Sequence, residues 1–240
     1  MLILGIDCSS PVGAAGVMKN NNVLGEVNIR FGRRHSERLL PVVKYLFSEL
    51  EDDIQELEGV AVTVGPGSFT GLRIGISTVK GFARALKIPL CGISTLDLFA
   101  YSIYFMEGYL VPVLDARRGR VYTALYRGGN RDIVSARLTE DRVLPVEELM
   151  DELARKYSGG NLYFVGNGIE VCRKYAENLK SEITFLSPVN CVPRGAAVAE
   201  VGTFYLNKEG ETSSDKLLPR YLKKPQAEIN YRRKNNDRGG

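Results

Sequence analysis

Two hydrophobic runs in this chain stop at an aspartate, and each is followed by the same succession of elements. The first, "LILGID" (2–7), reads as a buried strand ending at Asp7. A polar turn, "CSSPVG", leads to "AAGVM" and "VLGEVNI", two further strands joined by "KNNN". "HSERLLPVVKYLFSEL" (35–50) has helical spacing of Leu39, Val42, Val43, Leu46 and Leu50. Pro41 is expected to start or kink that helix rather than sit in its middle. A strand at 60–64, a glycine-rich loop, a helix at 70–86, a short strand at 90–92 and a helix at about 95–105 complete the unit. At residue 110 the plan starts again. "LVPVLD" ends at Asp115, the turn "ARRG" follows, and "RVYTALYR" and "DIVSARL" read as two more strands. A helix at 145–157, a strand at 162–166, a helix at 169–179, a strand near Phe185 and a helix at about 194–206 follow. The residues of the halves do not match; the architecture repeats.

Two duplicated βββαβαβα lobes predict an α/β, two-lobed molecule. The expected divisions are an N-terminal, partner-binding lobe at 1–106, a C-terminal lobe at 107–222 and a basic tail at 223–240, with the last helix free to pack back on the N-terminal lobe. Ligands of open α/β sheets bind beyond the carboxyl ends of the strands, so Asp7 and Asp115 are expected to face each other across a cleft. This layout resembles the actin, Hsp70 and sugar-kinase (ASKHA) superfamily, in which paired turns grip nucleotide phosphates and paired aspartates manage metal and water.

Composition narrows the functions. No apolar run approaches the ~20 residues of a membrane span, and "MLILGIDCSS" reads as a strand, without a basic leader. The four cysteines are scattered with no CxxC pair, which fits reduced thiols in a cytoplasmic protein. The single histidine, His35, excludes a histidine-rich metal site. Residues 216–240 hold eight Lys/Arg against Glu228 and Asp237, so this end is +6 and the rest of the chain −2. Such a tail is either a solvated terminus or a contact to nucleic acid.

The cleft turns are unequal. Ser9 and Ser10 after Asp7 are small donors suited to phosphate, whereas Arg117 and Arg118 stand where the second turn would want glycine or threonine. The arginines either pair with phosphate or fill the site. "GNG", from Gly166, suits an adenine- or ribose-contacting corner or a plain strand-to-helix turn. "GPGSFTGLRIG" (65–75) is no Walker loop, because Gly71 is followed by Leu72 and Arg73 rather than by Lys and Ser/Thr. In the helix after it, Leu72, Ile76, Val79, Ala83 and Leu86 form a core stripe. Gly71, Ile74, Gly75, Thr78 and Phe82 form a second stripe. Mid-helix glycine costs about 1 kcal/mol relative to alanine. The second stripe therefore reads as a place of close approach, by the chain's own helix 35–50 or by another molecule.

"ILGIDCSS", "HSERLLPVV", "VGPGSFTGLRIGISTVKGFA", "GISTLDLFA", "VLDARRGRVY" and the late "PRYLKKPQAE" together resemble the TsaB family, also called YeaZ. The likeness covers most of 1–125 and the late motif; 128–215 match weakly. The resemblance implies a noncatalytic scaffold that dimerises with its catalytic relative TsaD. With the ATPase TsaE, that complex attaches threonylcarbamoyl to the adenosine next to the anticodon in tRNAs reading ANN codons. It implies homodimers when alone, tRNA met through the assembled complex, and no membrane. It places the partner interface on helices 35–50 and 70–86, hence Leu39, Leu40, Val43, Phe47, Gly71, Ile74, Gly75, Thr78 and Phe82. No catalytic residue and no metal are expected; Thr95 and Phe99 stand where the catalytic relative carries a metal-binding histidine pair. A vestigial nucleotide cleft would comprise Asp7, Ser9, Ser10, Asp115, Arg117, Arg118 and Gly166. No cofactor is required, with weak or shared ATP/ADP and magnesium at most. The alternative is a self-sufficient actin-like ATPase or small-molecule kinase, which needs two open phosphate turns. A peptidase lacks its metal pair.

Overall fold

The computed structural model describes residues 1–32, 34–176, 181–209 and 216–222. The expected basic tail at 223–240 lies outside them. The N-terminal half runs β1 (Leu2–Asp7), β2 (Val12–Lys19), β3 (Asn22–Arg30), α1 (His35–Ser48), β4 (Gly59–Gly65), α2 (Phe69–Leu86), β5 (Leu90–Ser94) and α3 (Thr95–Tyr101). The C-terminal half runs β6 (Tyr109–Asp115), β7 (Arg120–Thr123), β8 (Tyr126–Arg127), α4 (Ile133–Ala136), β9 (Arg142–Pro145), α5 (Val146–Lys156), β10 (Leu162–Val165), α6 (Ile169–Arg173), β11 (Ile183–Phe185) and α7 (Gly195–Glu209).

The two sheets are built alike. The first has order β3-β2-β1-β4-β5, with β1 antiparallel to β2 and parallel to β4. The second has order β11-β10-β6-β7-β9, with β6 antiparallel to β7 and parallel to β10; β8 pairs with β6 off this path. β6 thus takes the place of β1, and the turns after Asp7 and Asp115 are topological equivalents.

Strand alternation sorts the first core into two layers. Leu2, Leu4 and Ile6 pack with Leu39 and Val43 of α1 and with Ile76 and Val79 of α2. On the opposite face, Ile3 and Met18 meet Ala199 of α7, the chain's last described helix. That approach is backbone to backbone: a Cβ on Gly5 would lie 2.3 Å from the Ala199 nitrogen, and one on Gly16 2.2 Å from the Ala196 nitrogen. A third cluster joins the halves, linking Ala61, Cys91 and Ile93 with Leu110, Leu114, Tyr126, Val201 and Tyr205.

Three sequence expectations are corrected. "DIVSARL" is not a strand: Asp132 accepts from the Ser135 N–H at 3.3 Å and starts the short helix α4, so the third strand of this sheet is β9. "RVYTALYR" is broken at 124–125 into β7 and β8. Pro41 lies within α1 rather than at its start. It is on the exposed side of the helix, and the ladder lacks the bond its missing N–H would have made.

Candidate functional site

The first turn is sealed by its own lobe. Asp7 is fully buried. Its carboxylate accepts from the Ser9 N–H at 3.0 Å, from Ser9 Oγ at 2.9 Å and from Thr63 Oγ1 at 2.7 Å. Burial pushes its pKa above the ordinary value, with the Thr63 and Ser9 hydrogen bonds opposing. Ser10 Oγ pairs within the turn, donating to the Val12 carbonyl and accepting from its N–H, both at 3.1 Å. Buried His35 reaches the Ser10 carbonyl at 2.9 Å. The N-terminus of α2 sits on top. Ser68 N–H donates to the Ser9 carbonyl at 2.7 Å, and its hydroxyl caps the helix at the Gly71 N–H. A Cβ on Gly71 would lie 2.0 Å from the Cys8 carbonyl oxygen, and one on Gly67 2.4 Å from that of Ser9. The glycines of "GPGSFTG" let the helix start rest on the β1–β2 turn. The Ser9 and Val12 N–H groups and the Ser9 and Ser10 hydroxyls of this turn are paired within the protein.

The second turn is open. Asp115 is exposed, and its carboxylate accepts from the Arg117 N–H at 2.7 Å. Arg117 and Arg118 are exposed, with φ of 64° and 57°, followed by Gly119 at 67°. Two successive non-glycine residues in the left-handed region are uncommon. Gly166, at φ 113°, belongs to a corner clasped to the end of β6: Gly168 N–H donates to the Val113 carbonyl at 2.9 Å, and Asn167 Oδ1 accepts from the Asp115 N–H at 2.9 Å. That corner serves as a strand-to-helix turn.

The outer face of α1 and α2 needs one correction. Leu39 and Val43 are 1% exposed and belong to the core. Gly75 faces Val62 and Cys8, and Gly71 faces the Cys8 carbonyl, so neither glycine opens α2 to a second helix. Their partners are the chain's own Cys8 turn and, for Gly75, Val62 of β4 as well. Leu40 (54% exposed), Phe47, Ile74, Thr78 and Phe82 remain at the surface or half-buried. Beside them on α2 lies a glycine the sequence reading passed over. Gly81 is exposed, and a Cβ there would meet nothing within 4 Å. Among the described residues nothing packs against that mid-helix glycine.

A buried polar network between the halves also escaped the sequence reading. Asp97 of α3 accepts from Tyr126 Oη at 2.8 Å and Arg137 Nη2 at 2.5 Å, and Arg137 Nη1 reaches Asp141 at 2.8 Å. Ser94 Oγ donates to the same Asp141 at 2.9 Å. The signal was a lone aspartate in an apolar helix, "STLDLFA", which requires a buried cation. Thr95 and Phe99 are buried in α3. Among the described residues no group of His, Cys, Asp or Glu side chains is arranged to hold a metal ion, and no helix is long and apolar enough to cross a membrane.

Residues 26–231 match the family model described as TsaD, tRNA N6-adenosine threonylcarbamoyltransferase. The tRNA threonylcarbamoyladenosine biosynthesis protein TsaB of Bacillus subtilis is 29% identical over 96% of this chain and 98% of its own length. The Escherichia coli protein of that name is 32% identical over 66% of this chain and 68% of its own. Among solved structures, YeaZ from Pseudomonas aeruginosa superposes with a TM-score of 0.75 at 23% identity, covering 92% of this chain and 99% of that one. Component A of the (R)-2-hydroxyglutaryl-CoA dehydratase of Acidaminococcus fermentans shares the fold at a TM-score of 0.52 and 11% identity, over 87% of this chain and all of that one.

Proposed function

We propose a function from one premise: the chain belongs to the TsaB (YeaZ) family. Its role lies in tRNA threonylcarbamoyladenosine biosynthesis. Within that pathway we assign it as a noncatalytic scaffold. It docks on TsaD, works in a complex with TsaE, and meets tRNA through the assembly in the cytoplasm.

The observation that carries this reading is the outer face of α1 and α2. Leu40, Phe47, Ile74, Thr78 and Phe82 offer an apolar surface with Gly81 beside them. An exposed glycine inside an 18-residue helix costs about 1 kcal/mol in the isolated chain. It is repaid where a second helix backbone comes close. The same face would serve the homodimer of the chain alone, so TsaD and a second copy compete for it.

The sealed first turn supports the absence of independent chemistry. An actin-like kinase needs both phosphate turns open, and here the Ser9 N–H, Ser9 carbonyl and Ser10 hydroxyl are already paired. Any nucleotide the complex handles would be held mainly by its other subunits, with Arg117 and Arg118 as this chain's available phosphate partners. Light scattering on the chain mixed with TsaD tests the assignment. A heterodimer replacing the homodimer is the expected result. Absence of any complex, or steady ATP turnover by the chain alone, contradicts it.

A further inference from the structure

We propose that the edge of α2 away from the core is a contact for the RNA phosphate backbone, so that this chain itself touches the tRNA. The proposal rests on the tRNA reading above for its choice of RNA.

No Asp or Glu occurs between Glu58 and Asp97, while that stretch holds Arg73, Lys80, Arg84 and Lys87. At 3.6 residues per turn, Arg73, Ser77, Lys80 and Arg84 line one edge of α2, with Lys87 at its end. All are exposed except Lys80, which is half-buried. Among the described residues none of these four cations has an ion-pair partner, whereas Lys19, Arg131, Arg142 and Lys208 each do. Unpaired cations grouped without carboxylates are an anion-binding pattern, not the mixed charge of an ordinary solvated face.

The chain then returns to the same edge. Leu217 is buried over Gly92, where a Cβ would lie 2.5 Å from its Cδ1. Arg220 N–H donates to the Val64 carbonyl at 2.7 Å. Tyr221 stacks on Phe69 with ring centroids 4.7 Å apart, and Arg73 lies 3.9 Å over the Phe69 ring while its Nε donates to Tyr221 Oη at 2.8 Å. Between this strap and α2 lies an open cleft of about 460 Å³, lined by Arg73, Ser77, Lys80, Leu218 and Tyr221. The strap also carries Lys216 and Arg220, the latter ion-paired with Asp141 at 3.8 Å. An arginine set over one ring of a stacked aromatic pair, at the rim of a basic groove, suits a nucleic-acid strand, which offers phosphates in a row. The row is also contiguous with the apolar partner face, so RNA bound there would run past the junction of the two subunits.

The test is fluorescence anisotropy of an unmodified, end-labelled tRNA transcript titrated with the full chain at several KCl concentrations. Lys80→Gln with Arg84→Gln should weaken binding about 5- to 20-fold near 0.1 M salt and flatten the plot of log affinity against log salt by about 1.5, two phosphate contacts' worth. Lys80→Arg with Arg84→Lys should keep the parent slope. Lys156→Gln with Lys208→Gln, which removes equal charge elsewhere, should also leave it unchanged. Equal losses in the two glutamine pairs would overturn the proposal, since total charge would then be the cause. So would an unchanged slope in the α2 pair, or polyglutamate binding as tightly as the transcript. Complex size with TsaD, measured on the same variants, separates this from the scaffold reading: loss of RNA contact with TsaD docking retained concerns the α2 edge alone.

Discussion

The turns after Asp7 and Asp115 occupy the same place in two sheets of the same design, yet they have opposite fates. After Asp7 every polar atom named is turned inward and the start of α2 is seated on the backbone. After Asp115 the carboxylate faces water and two arginines are held at positive φ. A phosphate-gripping pair needs both turns open at once. The contrast shows how two sheets of one design can keep their strand order while one turn is covered by its own helix and the other stays exposed.

The sealed turn is where substitution should cost most. Gly71→Val puts side-chain atoms where even a Cβ would lie 2.0 Å from a backbone oxygen. Helix and turn must then part, at about 3 kcal/mol, at the top of the usual overpacking range. Chemical denaturation measures the loss. A drop under ~0.5 kcal/mol, the size of a neutral surface change, would mean that the turn is not sealed as described.

Asp7→Asn should act through pH. The folded-state pKa of Asp7 is raised by burial, so its contribution to stability is fully present below the ordinary aspartate range and is lost as pH rises through the folded value. The asparagine variant has no such loss. Its stability relative to the parent should therefore improve as pH climbs from the ordinary carboxylate range, and converge with falling pH. Melting curves at several pH values report it; a constant difference would mean that Asp7 is not buried.

The open turn should respond in the opposite direction. Arg118→Gly removes a Cβ from a left-handed position, where an L-residue pays about 1–2 kcal/mol. Offset by the glycine's own entropy, the net gain should be about 0.5–1 kcal/mol, a small rise in Tm. A fall in Tm would show that the arginine is held by contacts that repay the strain.

Much of this was legible in the sequence. Period-2 and period-3.6 patterning located β1, α1, β4, α2, β6 and α5, and the two strand-ending aspartates revealed the duplication. What failed did so for physical reasons. "DIVSARL" has strand-like alternation, but the capping carboxylate of Asp132 decides for helix. Gly71 and Gly75 have helix-contact spacing, but spacing does not say which neighbour fills the groove, and here it is the Cys8 turn. Leu39 and Leu40 are adjacent and equally apolar, yet a 100° step on the helix buries one and exposes the other. The Asp97–Arg137 pair joins residues forty apart in sequence, beyond the reach of local pattern.

The central claim is that the chain works through the surface of α1 and α2 and not through its cleft. Sedimentation of Gly81→Leu with TsaD tests it most directly. The exposed site has room for the side chain, so the monomer should keep its stability or gain up to about 1 kcal/mol from helix propensity. The account predicts association with TsaD weakened by at least ~10-fold, or about 1.4 kcal/mol. Association unchanged from the parent, with the variant fully folded, would contradict it.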